Sequence, residues 1–126
     1  WEDMPFLRVT YVAEDQETAE KDPQAAMDWV ADLNGYRRTL KGGSEINADL
    51  DNWRRTRQED PPSYDSRLKS TAYFGTPDNV AERIKSLRDN HNVRYYTAHF
   101  SYGNMEHDKV MRAMELFAEE VMPKFR

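Results

Sequence analysis

From Phe6 to Val12 the chain alternates. Leu7, Val9 and Tyr11 fall on one face and Phe6, Arg8, Thr10 and Val12 on the other, which predicts a β-strand. Both faces carry apolar groups, as suits a strand buried between a barrel interior and a helical layer. Beyond Ala13-Glu14-Asp15 the period changes. An acid-rich helix start leads to Pro23, which fits the first turn of a restarted helix with Asp22 as its N-cap. Ala26, Met27, Val30 and Leu33 then recur at helical spacing, with Gly35 as the expected stop.

Periodicity disappears between Tyr36 and Ser70. Gly42-Gly43, Pro61-Pro62 and a mixture of Asp, Asn, Arg and Ser, with Trp53 and Tyr64 interspersed, make this segment longer than an ordinary connection. It is read as a lid or a disordered insertion over residues 36–70, mobile without ligand. Thr71 to Phe74 forms a short extended approach to Gly75. Thr76 then caps a helix with Pro77 at its first position and Asp78 in its first turn. Ala81, Ile84 and Leu87, with Val80 beside them, give that helix one apolar stripe, and Asn90, His91 and Asn92 end it. Val93 to Phe100 is a β-branched and aromatic run that predicts a second strand. After a loop over Ser101 to Glu106, Val110, Met114, Phe117 and Val121 mark the buried face of a last helix that Pro123 stops.

Two strands, each followed by helix, imply parallel pairing through right-handed crossovers. Two parallel strands cannot cover their own faces, so the unit is expected to complete a larger parallel sheet or barrel. Composition supports dependence on neighbours: of 126 residues only 38% are hydrophobic and 33% are charged, a thin core for that length. The start at Trp1 without a methionine, followed closely by an apolar stretch, suggests truncation or processing.

Charge narrows the partners. The net charge of −5, with arginines scattered among acids, offers no basic face for nucleic acid. There is no cysteine, hence no disulfide, thiolate metal site or cysteine nucleophile. No apolar run approaches membrane-spanning length, and the N-terminus has neither a basic n-region nor an apolar h-region. A cytoplasmic protein without a membrane partner is expected.

Candidate chemistry is sparse. Gly75-Thr76-Pro77 could present backbone N–H groups to an anion, but with one glycine and no following lysine it reads as a structural cap. His91, His99 and His107 are spaced by eight and fall on different elements, so no metal site is assigned. His99 lies near the C-terminal end of the second strand, where α/β folds place ligand-facing residues, although a hydrogen-bonded structural histidine is the favoured reading. Tyr102 and Gly103 follow, the phenol being either a polar contact for a ligand or an aromatic plug over the strand end. Trp53, Arg54, Arg55 and Arg57 form a lid candidate for an anionic ligand, or a solvated loop paired with Asp49, Asp51, Glu59 and Asp60. The Met111, Met114 and Met122 group reads as core packing.

Taken together, these segments resemble the C-terminal part of the bacterial luciferase-like, flavin-dependent monooxygenases. Leu7-Arg8-Val9-Thr10-Tyr11-Val12-Ala13-Glu14-Asp15 looks like the seventh barrel strand and its acidic turn. After the polar insertion come Gly75-Thr76-Pro77 and then Tyr95-Tyr96-Thr97-Ala98-His99-Phe100-Ser101-Tyr102-Gly103 as the eighth strand and its loop. Met114-Glu115-Leu116-Phe117-Ala118-Glu119-Glu120-Val121-Met122-Pro123 is the most specific piece. Asn104 and Glu106 stand where many relatives have glycine and proline.

The resemblance implies an α/β fold, the C-terminal two β/α units of a TIM (β/α)8 barrel spanning residues 1–126, with the barrel incomplete in this chain. It implies reduced FMN, supplied by a reductase, bound at the strand ends and oxygenating a small organic substrate, with the deazaflavin F420 as the alternative. His99, Tyr102 and Gly103 become candidates for cofactor or substrate binding, while no catalytic residue is assigned. Most flavin contacts, the phosphate grip included, would come from an N-terminal remainder of the barrel. The chain alone is therefore expected to be inactive, and it is expected to work within an oligomer. A non-catalytic split-barrel interaction module is the rival reading.

Overall fold

A computed structural model of the chain describes the backbone of residues 5–41 and 63–126 and the side chains of residues 5–34 and 63–126. Among the described residues three parallel strands form a sheet in the order β2-β1-β3. Strand β1 (Pro5–Val12) is central; β2 (Ala72–Gly75) pairs with its C-terminal half and β3 (Tyr95–His99) with its N-terminal half. The two predicted strands are thus adjacent and parallel. The approach to Gly75 is a third strand, so the expected two β/α units become three strands. Tyr11 sits opposite Phe74, and Val9 is flanked by Ala72 and His99.

Alternation along β1 divides the core into two layers. Val12, with Tyr73 of β2, packs against Val80, Ala81, Ile84 and Leu87 of the crossover helix α4 (Pro77–His91) and against Leu116 and Val121 near the C-terminus. Phe6 and Tyr96 extend this layer, and Tyr96 shares a 2.7 Å hydrogen bond with Thr10. On the opposite face Tyr11, Ala13 and Phe74 meet Ala19 of α1 (Gln16–Lys21), Ala26 and Met27 of α2 (Gln24–Lys41), and Tyr102. Helix α3 (Tyr64–Ser70) lies on this side too. Its Tyr64 hydroxyl donates to the Glu20 carbonyl, and Arg67 donates to the Met27 carbonyl at 2.9 Å and to Asp28 at 2.7 Å.

This second layer covers only the C-terminal part of the sheet. Leu7 is 56% and Tyr95 55% exposed, and the pairing of Leu7 with Thr97 puts both on one face. Three strands cannot close a barrel. The expectation that both faces of the first strand are buried therefore holds at Tyr11 and Val12 and fails at Leu7.

Helix α4 starts as its sequence predicts. Thr76 accepts the Asn79 N–H in its cap, Pro77 opens the first turn, and Asn92, at φ 51°, ends the helix in the left-handed region. Three other expectations fail. Asp22 has helical dihedrals as the C-cap of α1 and is not an N-cap, and α2 continues through Gly35 to Lys41. The insertion is not uniformly unpatterned, since residues 36–41 extend α2 and 64–70 form α3.

The last helix also departs from its predicted face. In α5 (His107–Leu116) the buried positions are Val110, Ala113 and Leu116, while Met111, Met114 and Met122 are exposed, Met114 to 45%. Pro123 does not stop the helical path. A π-helical turn, Phe117–Val121, shifts the phase, and a 3-10 turn, Met122–Phe125, carries the chain past the proline.

Candidate functional site

The C-terminal ends of β1 and β3, with the loops that follow them, collect the polar side chains in the way α/β folds favour. A concavity of about 380 Å³ opens beside Tyr11, Glu14, Asp22, Lys109 and Arg112. Asp22 is its hub. One carboxylate oxygen accepts the Tyr11 hydroxyl at 3.0 Å and the other accepts Lys109 Nζ at 3.2 Å. Lys109 also pairs with Glu106 at 3.1 Å, and Arg112 donates to Glu14 at 2.6 Å.

These contacts set the ionisation of the groups. Burial, reinforced by the bond to Asp22, pushes the Tyr11 phenol far above its ordinary value. Tyr11 is therefore a hydrogen-bond donor and not a base at neutral pH. Hydrogen bonds to Glu106 and Asp22 hold Lys109 in its ammonium form, and Glu14 does the same for the Arg112 guanidinium. A lysine in the first turn of a helix faces the positive end of the dipole, so these two carboxylates also offset its position.

Of the predicted residues, His99 and Tyr102 come together. Their rings meet edge to face with centroids 6.0 Å apart. His99 is exposed at the end of β3, whereas Tyr102 is buried and stacks on Phe74 at 5.8 Å with 12° between the planes. Tyr102 is thus an aromatic plug over the strand end. Among the described residues its hydroxyl nevertheless has no hydrogen-bond partner, and burial, with the nearby Tyr64 and Tyr11 phenols, keeps it protonated well above the usual range. Gly103 is required by geometry: its φ is +59°, and a Cβ there would stand 2.5 Å from the Ala26 carbonyl oxygen. It lets the loop lie against α2.

Gly75 ends β2 beside Val12, and the Thr76 cap uses the N-terminus of α4 for structure. Among the described residues no group of three or more His, Asp or Glu could hold a metal ion. The lid candidates Trp53, Arg54, Arg55 and Arg57 lie outside the described residues. Sequence reading missed Tyr11, Asp22, Lys109 and Arg112. The strand-end rule that singled out His99 applies equally to Tyr11, the penultimate residue of β1, and would have found it.

No family model matches the chain, and no curated protein does. Among solved structures the chain is similar to the crystal structure of monooxygenase RslO1 from Streptomyces bottropensis, at 23% identity and a TM-score of 0.61. The match covers 98% of this chain and 31% of that one, so the chain spans about a third of the protein it resembles. What the two share is a fold, an α/β arrangement around parallel strands.

Proposed function

We propose that this chain is the C-terminal portion of a luciferase-like, flavin-dependent monooxygenase, a (β/α)8 barrel that uses reduced FMN and dioxygen on a small organic substrate. The observation that carries the reading is the fold likeness to a monooxygenase along 98% of the chain. The adjacent, parallel β1 and β3 then correspond to the seventh and eighth barrel strands, and β2 occupies the other edge of β1. The exposed face around Leu7 and Tyr95 is where the N-terminal remainder of the barrel would pack. An F420-dependent oxidoreductase is the alternative within the same fold, and cytoplasmic location and oligomeric assembly belong to the same proposal.

The residues of this chain do not by themselves fit FMN. A flavin phosphate needs cations or free N–H donors. At the described strand ends Lys109 and Arg112 are each committed to carboxylates, and Asp15, Asp22 and Asp108 line the same concavity. His99 and the unpartnered Tyr102 hydroxyl are the groups that suit the edge of a ring or a substrate carbonyl. No reaction step is assigned to this chain alone. The acid-lined concavity favours, as a second reading, a non-catalytic split-barrel module that docks on a partner.

A flavin titration tests the proposal. The isolated chain should bind FMN weakly or not at all, and adding the N-terminal complement should restore flavin binding. Stoichiometric submicromolar binding by the isolated chain, or a complemented barrel that never binds flavin, would overturn it.

A further inference from the structure

We propose that a second cavity, at the N-terminal end of β3, is a binding site for a small planar aromatic carboxylate. It goes beyond the reading above, because it lies at the opposite end of the strand from His99 and Tyr102. The cavity holds about 370 Å³ between the last turns of α4, the start of β3 and the terminal turns, near the lower end of the roughly 300–1,000 Å³ usual for small-molecule sites.

Its walls are aromatic. Tyr96 and Phe117 stack at 6.5 Å with 23° between their planes, and Phe125 of the 3-10 turn lines the same space. Aromatic rings in the wall favour a π-system, which can add an edge-to-face or offset-stacked contact that a branched aliphatic group cannot. The Tyr96 hydroxyl is already engaged with Thr10, so that wall offers a ligand its ring and not its hydroxyl.

The remaining polar lining is cationic. Among the described residues Arg88, Arg94 and Arg126 line the cavity and no acidic side chain does, in a chain with 23 acidic residues against 18 basic ones. The strand-end concavity, by contrast, has Glu14, Asp15, Asp22 and Asp108 along its wall. Arg88 bonds its sequence neighbour Asp89 at 2.8 Å, but both side chains are about half exposed, the weak kind of surface pair. A ligand carboxylate can displace Asp89 there through the two-pronged geometry that guanidinium groups favour. An apolar, ring-lined cavity whose described polar lining is arginine selects an aromatic anion over a neutral or cationic analogue.

Calorimetric titration of this chain with naphthoate, naphthol and naphthylmethylammonium tests the assignment. Naphthoate should bind at one saturable site, naphthol about tenfold or more weaker, and the ammonium compound not at all. The Arg88→Gln/Arg94→Gln variant should lose about tenfold for naphthoate with naphthol unchanged, and Phe125→Ala should weaken both. All these positions are exposed, so far-ultraviolet dichroism should match the parent. Backbone amide shifts on naphthoate addition should centre on Leu87, Val93 and Phe117. Absence of saturable binding, equal affinity for naphthoate and naphthol, indifference to the double substitution, or shifts centred on Tyr11 and Lys109 would each overturn it.

Discussion

Tyr11 and Asp22 are joined by a 3.0 Å hydrogen bond from phenol to carboxylate, and the bond ties the C-terminal end of the central strand to the end of α1. The same carboxylate reaches Lys109, 87 positions along the chain, so one acidic side chain links β1, α1 and α5. Tyr11 is buried. Tyr11→Phe should cost about 1 kcal/mol, and Asp22→Ala about 1–3 kcal/mol, because it strands a buried hydroxyl. In urea unfolding the double variant should cost less than the sum of the two. Simple additivity would show that the bond does not contribute to stability.

Four phenols, those of Tyr11, Tyr64, Tyr96 and Tyr102, are pushed up chiefly by burial. An unfolded tyrosine ionises near pH 10, so above that pH the unfolded state holds fewer protons than the folded one. Their contribution to stability is complete below about pH 10 and lost as pH rises beyond it. Tyrosinate absorbance from these four should therefore appear with loss of far-ultraviolet dichroism, in one transition. A smooth titration of all the tyrosines in the intact fold would contradict this.

Gly103→Ala places a Cβ against the Ala26 carbonyl oxygen at a positive φ. It should destabilise by about 1–3 kcal/mol, with Ala26→Gly giving little rescue because the clash is with backbone. A thermal midpoint equal to the parent would mean that the loop has another resting place.

Tyr102→Phe removes a buried hydroxyl that lacks a partner among the described residues. In this chain the substitution should be neutral or should stabilise by up to about 1–3 kcal/mol. In the complete protein the proposed function predicts lower turnover or more peroxide leakage from Tyr102→Phe and His99→Ala. Unchanged coupling and turnover in both would remove these residues from the candidate site.

Strand β1 and the start of α4 were legible because their signals are local: a seven-residue alternation, and a cap made by Thr76, Pro77 and Asp78. Strand β2 has four residues, too few for a period, and becomes a strand by pairing with Val9–Val12. Asp22 looked like an N-cap because Pro23 follows it. Its actual partners, Tyr11 and Lys109, are brought to it only by the tertiary fold. The strand-end rule led to His99 and Tyr102 but could not show that Tyr102 is roofed by packing, because Gly103 and Ala26 meet across a loop and a helix 77 positions apart. The lid candidates Trp53, Arg54, Arg55 and Arg57 lie outside the described residues.

The π turn counts as one residue inserted into an otherwise regular helix. Buried positions step by three through Val110, Ala113 and Leu116 and then by five to Val121, and the Met122 N–H bonds the Phe117 carbonyl across that wider loop. A proline inside an unbroken α-ladder would clash with the preceding turn; here the ladder has already changed step, and the chain keeps its heading through Pro123 to Phe125. Length is therefore a control separate from residue identity. Deleting Ala118 would leave the sheet-facing half of α5 in place and rotate everything after it by roughly 100°, swinging Phe125 off the cavity it lines.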